Sequence, residues 1–232
     1  MTLSRRGILT GATALLWTRP ALAAPNPKLL QNRLELWANY AKRTQNVIAR
    51  LVTTRETSLL DEPLVTTGSL AFAAPSSLVL RDDGRAGSST LVEGDDVWVL
   101  PNQTDLAGPP PVDPAQRAAQ AWLADRLVRL FAPPKGEGSE RAIIDGARVD
   151  VPRKSFRLEL IPQRGSVVRK TFRSITVYLD PVVGAVTQVI IAQTQGDRLR
   201  LQLTDHRQNV DPADVDAIVN TVRDRLQPAE AP

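Results

Sequence analysis

The chain of 232 residues contains no cysteine, a single histidine and a single methionine, and only 4% of its residues are aromatic. The absence of cysteine excludes a disulfide framework, thiolate metal ligands and a cysteine nucleophile. The one imidazole, His206, has no serine, acid or second imidazole tied to it by a catalytic spacing, and phosphate-binding and dinucleotide-binding glycine motifs are also missing. We therefore expect no catalytic residue, no metal site and no cofactor, with His206 at a strand end or in a loop.

Long apolar segments are equally scarce. The longest run, residues 7–17, is much shorter than the ~20 residues that a membrane-spanning helix needs. It follows Arg5 and Arg6 and precedes the small-residue stretch 21–24, which is the arrangement of an export signal. We expect residues 1–24 to be this signal and residues 25–232 to form one soluble domain in the bacterial periplasm.

The export route has two interpretations. Ser4-Arg5-Arg6 resembles the twin-arginine signature, and the alternative is an ordinary secretory signal that contains two arginines. No cysteine follows the cleavage region, so the chain lacks the thiol by which bacterial lipoproteins are acylated. We expect it not to be lipid-anchored by that route.

Removal of the signal also changes the charge. The signal holds three arginines and no acid, so the formal net charge falls from +4 to +1, which gives no reason to expect nucleic-acid binding. The remaining charges are uneven, with ten acids against two arginines in residues 56–113 and eight bases against two acids in residues 148–173. Solvated strand faces explain this pattern, and steering toward a charged partner or membrane surface is the alternative.

The hydrophobic pattern predicts an α+β fold. Residues 29–48 have helical spacing, and alternating runs then predict strands near 47–57, 64–73, 77–81, 88–93 and 96–100. Asp113-Pro114 begins a predicted helix that ends at Phe131, and Asp211-Pro212 begins a final amphipathic helix. Between these two helices, further strands are predicted around 156–160, 175–179 and 199–203.

Two pairs of adjacent acids are candidates for catalytic carboxylates. Asp82-Asp83 and Asp95-Asp96 each lie beside a glycine between predicted strands. Neighbouring residues of an extended chain point to opposite faces, whereas acid–base or metal chemistry needs two converging carboxylates. We expect both pairs to be turn residues.

One stretch of the chain resembles a known family. The motif lies in residues 67–78, after a strand-like segment 47–64, and reads Thr67-Gly68-Ser69-Leu70-Ala71-Phe72-Ala73-Ala74-Pro75-Ser76-Ser77-Leu78. Together with segments 156–162, 175–180 and 196–201, it resembles the LolA-like envelope lipoprotein carriers. The resemblance implies a curved, open antiparallel half-barrel with amphipathic helices covering the concave face. It also implies a non-enzymatic carrier of lipoproteins or lipids toward the outer membrane.

The chain departs from that family after Leu78. Many members have an arginine followed by an aromatic residue there, and the arginine is thought to latch a helical lid; this chain has Val79-Leu80. Arg81 is predicted to face away from Leu80, so the latch is not assigned to it. Cargo and gating can therefore differ, and a free lipid is an alternative to a lipoprotein.

We expect acyl chains to bind in an apolar concavity, since exposing ~15 methylenes to water costs on the order of 12 kcal/mol. Candidate lid residues are Trp122, Leu123 and Leu127. Candidate wall residues are Leu70, Phe72, Leu78, Leu80, Trp98, Leu158, Leu160 and Val177. The expected partners are an acylated cargo, an inner-membrane donor complex and an outer-membrane acceptor, with the carrier itself a monomer.

Two other classes of function remain open. The first is an envelope assembly factor that presents a solid β-platform to a protein partner, for which the interior would contain no cavity. The second is an exported enzyme that uses carboxylates such as Asp95. The sequence cannot distinguish a filled core from a lined cavity, because apolar side chains serve both.

Overall fold

The computed structural model describes residues 26–103, 114–132, 134, 139–145, 147–151 and 156–226. The predicted export signal and most of the Gly-Pro connector around residues 106–114 lie outside the described residues.

In this described part of the chain, ten strands form a single antiparallel sheet in the order β5-β4-β3-β2-β1-β10-β9-β8-β7-β6. The order ends at β5 and β6 and does not close, which confirms the predicted open antiparallel α+β fold. The strands are β1 Asn46–Glu56, β2 Leu64–Ala73, β3 Ser77–Asp82, β4 Ser88–Glu93, β5 Asp96–Pro101, β6 Ala147–Asp150, β7 Arg157–Pro162, β8 Phe172–Leu179, β9 Val186–Gln193 and β10 Arg198–Gln208.

The helices are α1 Pro27–Ala41, α2 Pro114–Phe131, α3 Val168–Thr171 and α4 Pro212–Arg223, with a 3-10 helix over Ser139–Ile144. The predicted limits of α2 are those observed, and α4 begins with Asp211 accepting a hydrogen bond from the N–H of Ala213 at 3.0 Å. The first helix ends at Ala41 and not near Ile48, because residues 47 and 48 pair with both β2 and β10. Tertiary pairing here overrides the helical spacing.

The sheet is covered differently on its two faces. We call the face beneath α1 and α2 the inner face; its side chains form the main core together with residues such as Leu34, Trp37 and Leu130. On the opposite, outer face, Val215, Val219 and Val222 of α4 form a second cluster with Ile48, Ala71, Val79 and Leu91. Strands β1 to β4 are therefore apolar on both faces, and Ile143 of the 3-10 helix joins α1 and α2 in the main core on the inner face.

None of the helices in the described part of the chain combines the length and the apolar character needed to cross a membrane.

Candidate functional site

A cavity of about 300 Å³ lies between α2 and the inner face of the sheet. Its apolar lining includes residues from β3, β4, β5 and α2, namely Leu78, Leu80, Val92, Val97, Leu123 and Leu127. Its polar lining consists of Arg55, Ser88, Thr90, Gln120 and Gln193. The mainly apolar lining suits an apolar guest, with polar groups available to one part of it.

Local structure explains how these side chains meet. Successive residues of a strand face opposite sides, so Leu78 and Leu80 share the inner face while Val79 joins the outer cluster. On α2, Leu123 and Leu127 are four residues apart and therefore lie on one side of the helix, which faces the cavity.

The predicted wall residues fall into two groups on the inner face. Leu78 and Leu80 line the cavity. The others pack into the main core and are at most 1% exposed, without lining the cavity: Leu70, Phe72, Leu158, Leu160 and Val177. The cavity thus occupies the part of the inner face near β3 to β5 and β9 to β10, with Arg55 of β1 and Phe172 of β8 at its margin.

Trp98 requires a correction, because it lies on the outer face and not in the cavity wall. Its neighbours Val97 and Val99 line the cavity, so the alternation of β5 directs the indole to the opposite side. There Trp98 packs against the cluster formed with α4. Because α4 packs on the outer face, β5 has apolar residues on both sides, and Trp98 belongs to the outer one.

The three predicted lid residues all belong to α2. Leu123 and Leu127 line the cavity directly. The Trp122 ring stacks on Phe172 with 6.4 Å between centroids, and Phe172 also lines the cavity. Trp122 also makes a cation–π contact, with the guanidinium of Arg126 lying 5.5 Å from the centre of its ring.

The C-terminal half of α2 is firmly attached. The indole N–H of Trp37 donates to the carbonyl of Leu130 at 2.8 Å, and the Phe131 ring packs on Phe72 with 6.1 Å between centroids. Arg126 donates to the backbone carbonyl of Asp145, and burial lowers the pKa of this guanidinium. The cavity-lining residue Gln120, by contrast, belongs to the N-terminal half.

A polar network at one end of the cavity was not anticipated. The Asp82 carboxylate accepts from the hydroxyl of Thr53 at 2.8 Å and from the N–H of Ser88 at 3.3 Å. Arg55 donates to the hydroxyl of Ser88 at 2.6 Å, and its Nη2 lies 3.6 Å from Asp82 Oδ2. Asp82 is thus a buried strand residue and not a turn residue. The period-two alternation Leu51, Thr53, Arg55 was the available signal for this inner-facing row.

The other polar candidates do not converge. Asp83 points away from Asp82 and pairs with Arg81 at 2.8 Å, so Arg81 does not face the cavity. Asp95 and Asp96 are exposed where β4 turns into β5, and His206 Nε2 lies 2.9 Å from the carbonyl oxygen of Val186. Among the described residues, no cluster of three or more acids, histidines or cysteines could hold a metal ion.

The size of the cavity limits its guest. A volume of about 300 Å³ lies at the lower end of small-molecule sites. With ~30 Å³ for each water-sized group, it accommodates on the order of ten methylenes. That is most of one medium-length acyl chain, and too little for several chains together.

Neither a family model nor a curated protein matches the sequence. Among solved structures, the chain is similar to a LolA superfamily protein from Nitrosomonas europaea, with 12% identity, a TM-score of 0.39 and coverage of 80% of this chain and 96% of that one. It is also similar to lipoprotein LppX from Mycobacterium tuberculosis, with 14% identity, a TM-score of 0.39 and coverage of 80% and 98%.

A third match is the MucA/MucB complex from Pseudomonas aeruginosa, with 13% identity, a TM-score of 0.32 and coverage of 81% of this chain and 59% of that one. At these identities the likeness concerns the fold alone.

Proposed function

We propose that this protein is a non-enzymatic carrier that encloses the acyl chain of a lipid or lipoprotein in the cavity between α2 and the sheet. The observation that supports the proposal is the cavity itself, an apolar space of about 300 Å³ beneath a single helix. A filled interior at this place would leave no room for a guest.

The driving force is the removal of methylenes from water. Each buried methylene contributes about 0.8 kcal/mol, so a cavity that takes about ten of them provides roughly 8 kcal/mol toward binding, before the entropic costs of association. Such an enclosure allows a hydrocarbon chain to cross an aqueous compartment. No covalent step is needed, in keeping with the expectation that the protein is not an enzyme.

The route into the cavity follows from how α2 is attached. Trp37 and Phe72 hold the last two residues of the helix, whereas Gln120 and Leu123 cover the cavity near its start. The N-terminal half of α2 therefore acts as the lid and moves about the fixed C-terminal end. Opening lifts Gln120 and Leu123 away from the sheet while Leu127 stays with the fixed end, and closing packs Leu123 onto the guest.

The export-type N-terminal sequence supports a place of action in the bacterial periplasm. A carrier there receives its cargo from an inner-membrane donor complex and delivers it to an outer-membrane acceptor. The volume of the cavity favours a guest with one acyl chain inserted at a time.

The alternative function, an assembly factor with a solid β-platform, requires a different interior. An assembly factor of that kind needs a packed sheet and helices without an internal space. The cavity beneath Leu123 and Leu127 favours the carrier over the platform.

A pair of matched variants on α2 tests the carrier. Ala124 is 5% exposed and lines the cavity, whereas Ala121, one turn earlier, is exposed. Ala124→Phe should fill the space and weaken binding of 1-dodecanol at least tenfold by titration calorimetry, while Ala121→Phe should leave it unchanged. Thermal unfolding of both variants checks that they fold.

The proposal would be wrong if the unmodified protein neither bound 1-dodecanol nor carried lipid detectable by mass spectrometry after purification from the periplasm. Equal binding by the two phenylalanine variants would place the guest elsewhere.

A further inference from the structure

One end of the cavity is polar, and four strands contribute to this. The inner-facing residues of β1 change from Leu51 through Thr53 to Arg55, and those of β4 change from Val92 through Thr90 to Ser88. On β3 the row Leu78, Leu80 ends in Asp82, and on β9 the row ends in Gln193 after Ile191. Because neighbouring strands are antiparallel, all four changes occur at the same end of the sheet.

The lining therefore has the polarity of an amphiphile. Leu78, Val92 and Leu127 surround the apolar end, while Ser88, Thr90 and Gln193 surround the polar end. Arg55 belongs to this polar end, and 38% of its side chain is exposed. The cavity thus reaches solvent beside a guanidinium.

Arg55 is held in place without using most of its donors. Its Nη2 contacts Ser88 Oγ and, at the longer distance of 3.6 Å, Asp82 Oδ2. Its Nε and Nη1 make no hydrogen bond within the described part of the chain. A guanidinium has five N–H donors, so several remain for a ligand.

The carboxylate of Asp82 interacts mainly with groups of the protein itself. Its carboxylate accepts from Thr53 and from the backbone of Ser88 and has only 4% of its side chain exposed. Asp82 therefore positions the guanidinium of Arg55 from its buried side. The remaining N–H donors of Arg55 are available on the side that faces the cavity and the solvent. An anionic oxygen there would gain charge-assisted hydrogen bonds to a planar donor fork.

We propose that Arg55 binds the anionic head group, a carboxylate or a phosphate, of a single-chain amphiphile whose hydrocarbon tail occupies the cavity. This inference rests on the proposed carrier function and specifies its ligand class. It makes Arg55 the residue that distinguishes an acid from a neutral lipid of the same length. It also gives the guest a direction, with its head at the β1 end and its tail toward Leu78 and Leu127.

The test compares ligands of equal chain length by titration calorimetry on the mature chain. Laurate and dodecyl phosphate carry the two anionic groups, and 1-dodecanol is the neutral counterpart. The unmodified protein should bind at least one anion about tenfold more tightly than 1-dodecanol, the effect of a charge-assisted pair at a partly exposed site. Whichever anion is preferred identifies the head group.

Arg200 offers a matched control for Arg55. Its Nη2 also lies 3.6 Å from a carboxylate oxygen, that of Glu56, and 44% of its side chain is exposed, but it lies on the outer face between Leu199 and Leu201. Arg55→Gln should lower the affinity for the anion and so remove its preference over 1-dodecanol. Arg200→Gln should change neither, and Arg55→Lys should retain part of the preference because it keeps the positive charge.

The outcomes separate this inference from the carrier proposal. If the unmodified protein binds 1-dodecanol as tightly as both anions, the proposed role of Arg55 is wrong, but the carrier proposal is not affected. This comparison uses the unmodified protein alone and so does not depend on the folding of any variant. An anion preference that survives Arg55→Gln, or is lost equally in Arg200→Gln, also overturns it. Absence of binding by all three ligands overturns both proposals.

Discussion

The indole N–H of Trp37 donates to the backbone carbonyl of Leu130, 2.8 Å away, and so joins α1 to the last turn of α2. Trp37 is 2% exposed and Leu130 equally buried, so water does not compete for this bond. The carbonyl is one of the last four of its helix, which have no partner within the helix. A side chain from another helix thus helps to hold the fixed end of the proposed lid, together with the Phe72–Phe131 contact.

Trp37→Phe should therefore weaken this junction. It leaves a buried carbonyl without its donor and removes part of a buried ring, which together should lower the free energy of unfolding by about 2–4 kcal/mol in urea denaturation. Faster proteolysis within α2 of the folded variant should accompany the loss. Unchanged stability would show that the C-terminal end of α2 is held by other contacts.

Trp98 allows the two faces of the sheet to be tested separately. Trp98→Ala removes packing against α4 and should lower the free energy of unfolding by about 1–3 kcal/mol, since the ring is only partly buried. Binding of 1-dodecanol to the folded variant should not change. Its neighbour Val97 lines the cavity, so Val97→Leu should alter binding instead. If a Trp98→Ala variant folds normally but does not bind 1-dodecanol, the indole is part of the cavity wall.

Gly184 and Gly165 share a φ of +83° but differ in their surroundings. A Cβ at Gly184 would lie 2.4 Å from the carbonyl oxygen of Leu36 in α1, whereas a Cβ at Gly165 meets nothing within 4 Å. Gly165→Ala should cost about 1–2 kcal/mol from the left-handed backbone alone. Gly184→Ala should cost clearly more, because α1 must also shift, and urea denaturation of both variants measures the difference. Equal losses of unfolding free energy in the two variants would mean that α1 can shift away from the added methyl group without a cost in stability.

Asp180 predicts a pH dependence of stability. Its pKa is lowered, first by hydrogen bonds from the backbone N–H groups of Val183 and Val182, and to a lesser extent by the charge of His206. A carboxyl whose pKa is lower in the folded state stabilises the fold above its unfolded pKa of about 3.9, and this contribution disappears as the pH falls below that value.

Asp180→Asn keeps the accepting oxygen and removes the charge, so it isolates this effect. At pH 7 the variant should melt about 2 °C or less below the unmodified protein, because the group is well solvated. The difference between the two melting temperatures should shrink as the pH falls below about 3.9 and vanish below the lowered folded-state pKa of Asp180. A difference that is constant from pH 7 to pH 3 would contradict the role of the charge.

Several elements could be predicted because their signals are local. Proline at the first helical position and an aspartate before it mark the start of α2 and of α4, and the observed helices begin at Pro114 and Pro212. Alternation places Leu78 and Leu80 on one face of β3 and Arg81 on the other, as the structure shows. These features depend on residues only a few positions apart.

Other assignments failed because they depend on distant parts of the chain. The last helix packs on the outer face, so β5 has apolar residues on both sides and alternation alone does not show which side faces the cavity. Trp98 was misplaced for this reason. Arg55 was missed because charged residues of a strand are ordinarily assigned to its solvated face, and Asp82 was missed because its place beside Gly84 predicted a turn.

The sequence by itself determined α2, α4, the strands other than β6 and β9, the alternation within those strands and the absence of thiol chemistry, since these follow from residue type and short-range spacing. Tertiary structure alone decided which face of β5 looks inward, where the core leaves a space and that Arg55 stands at its polar end. The physical reason is that α2 and α4 approach opposite faces of one sheet. The pairing of helices with faces is set by packing between segments far apart in the chain, which no local pattern records.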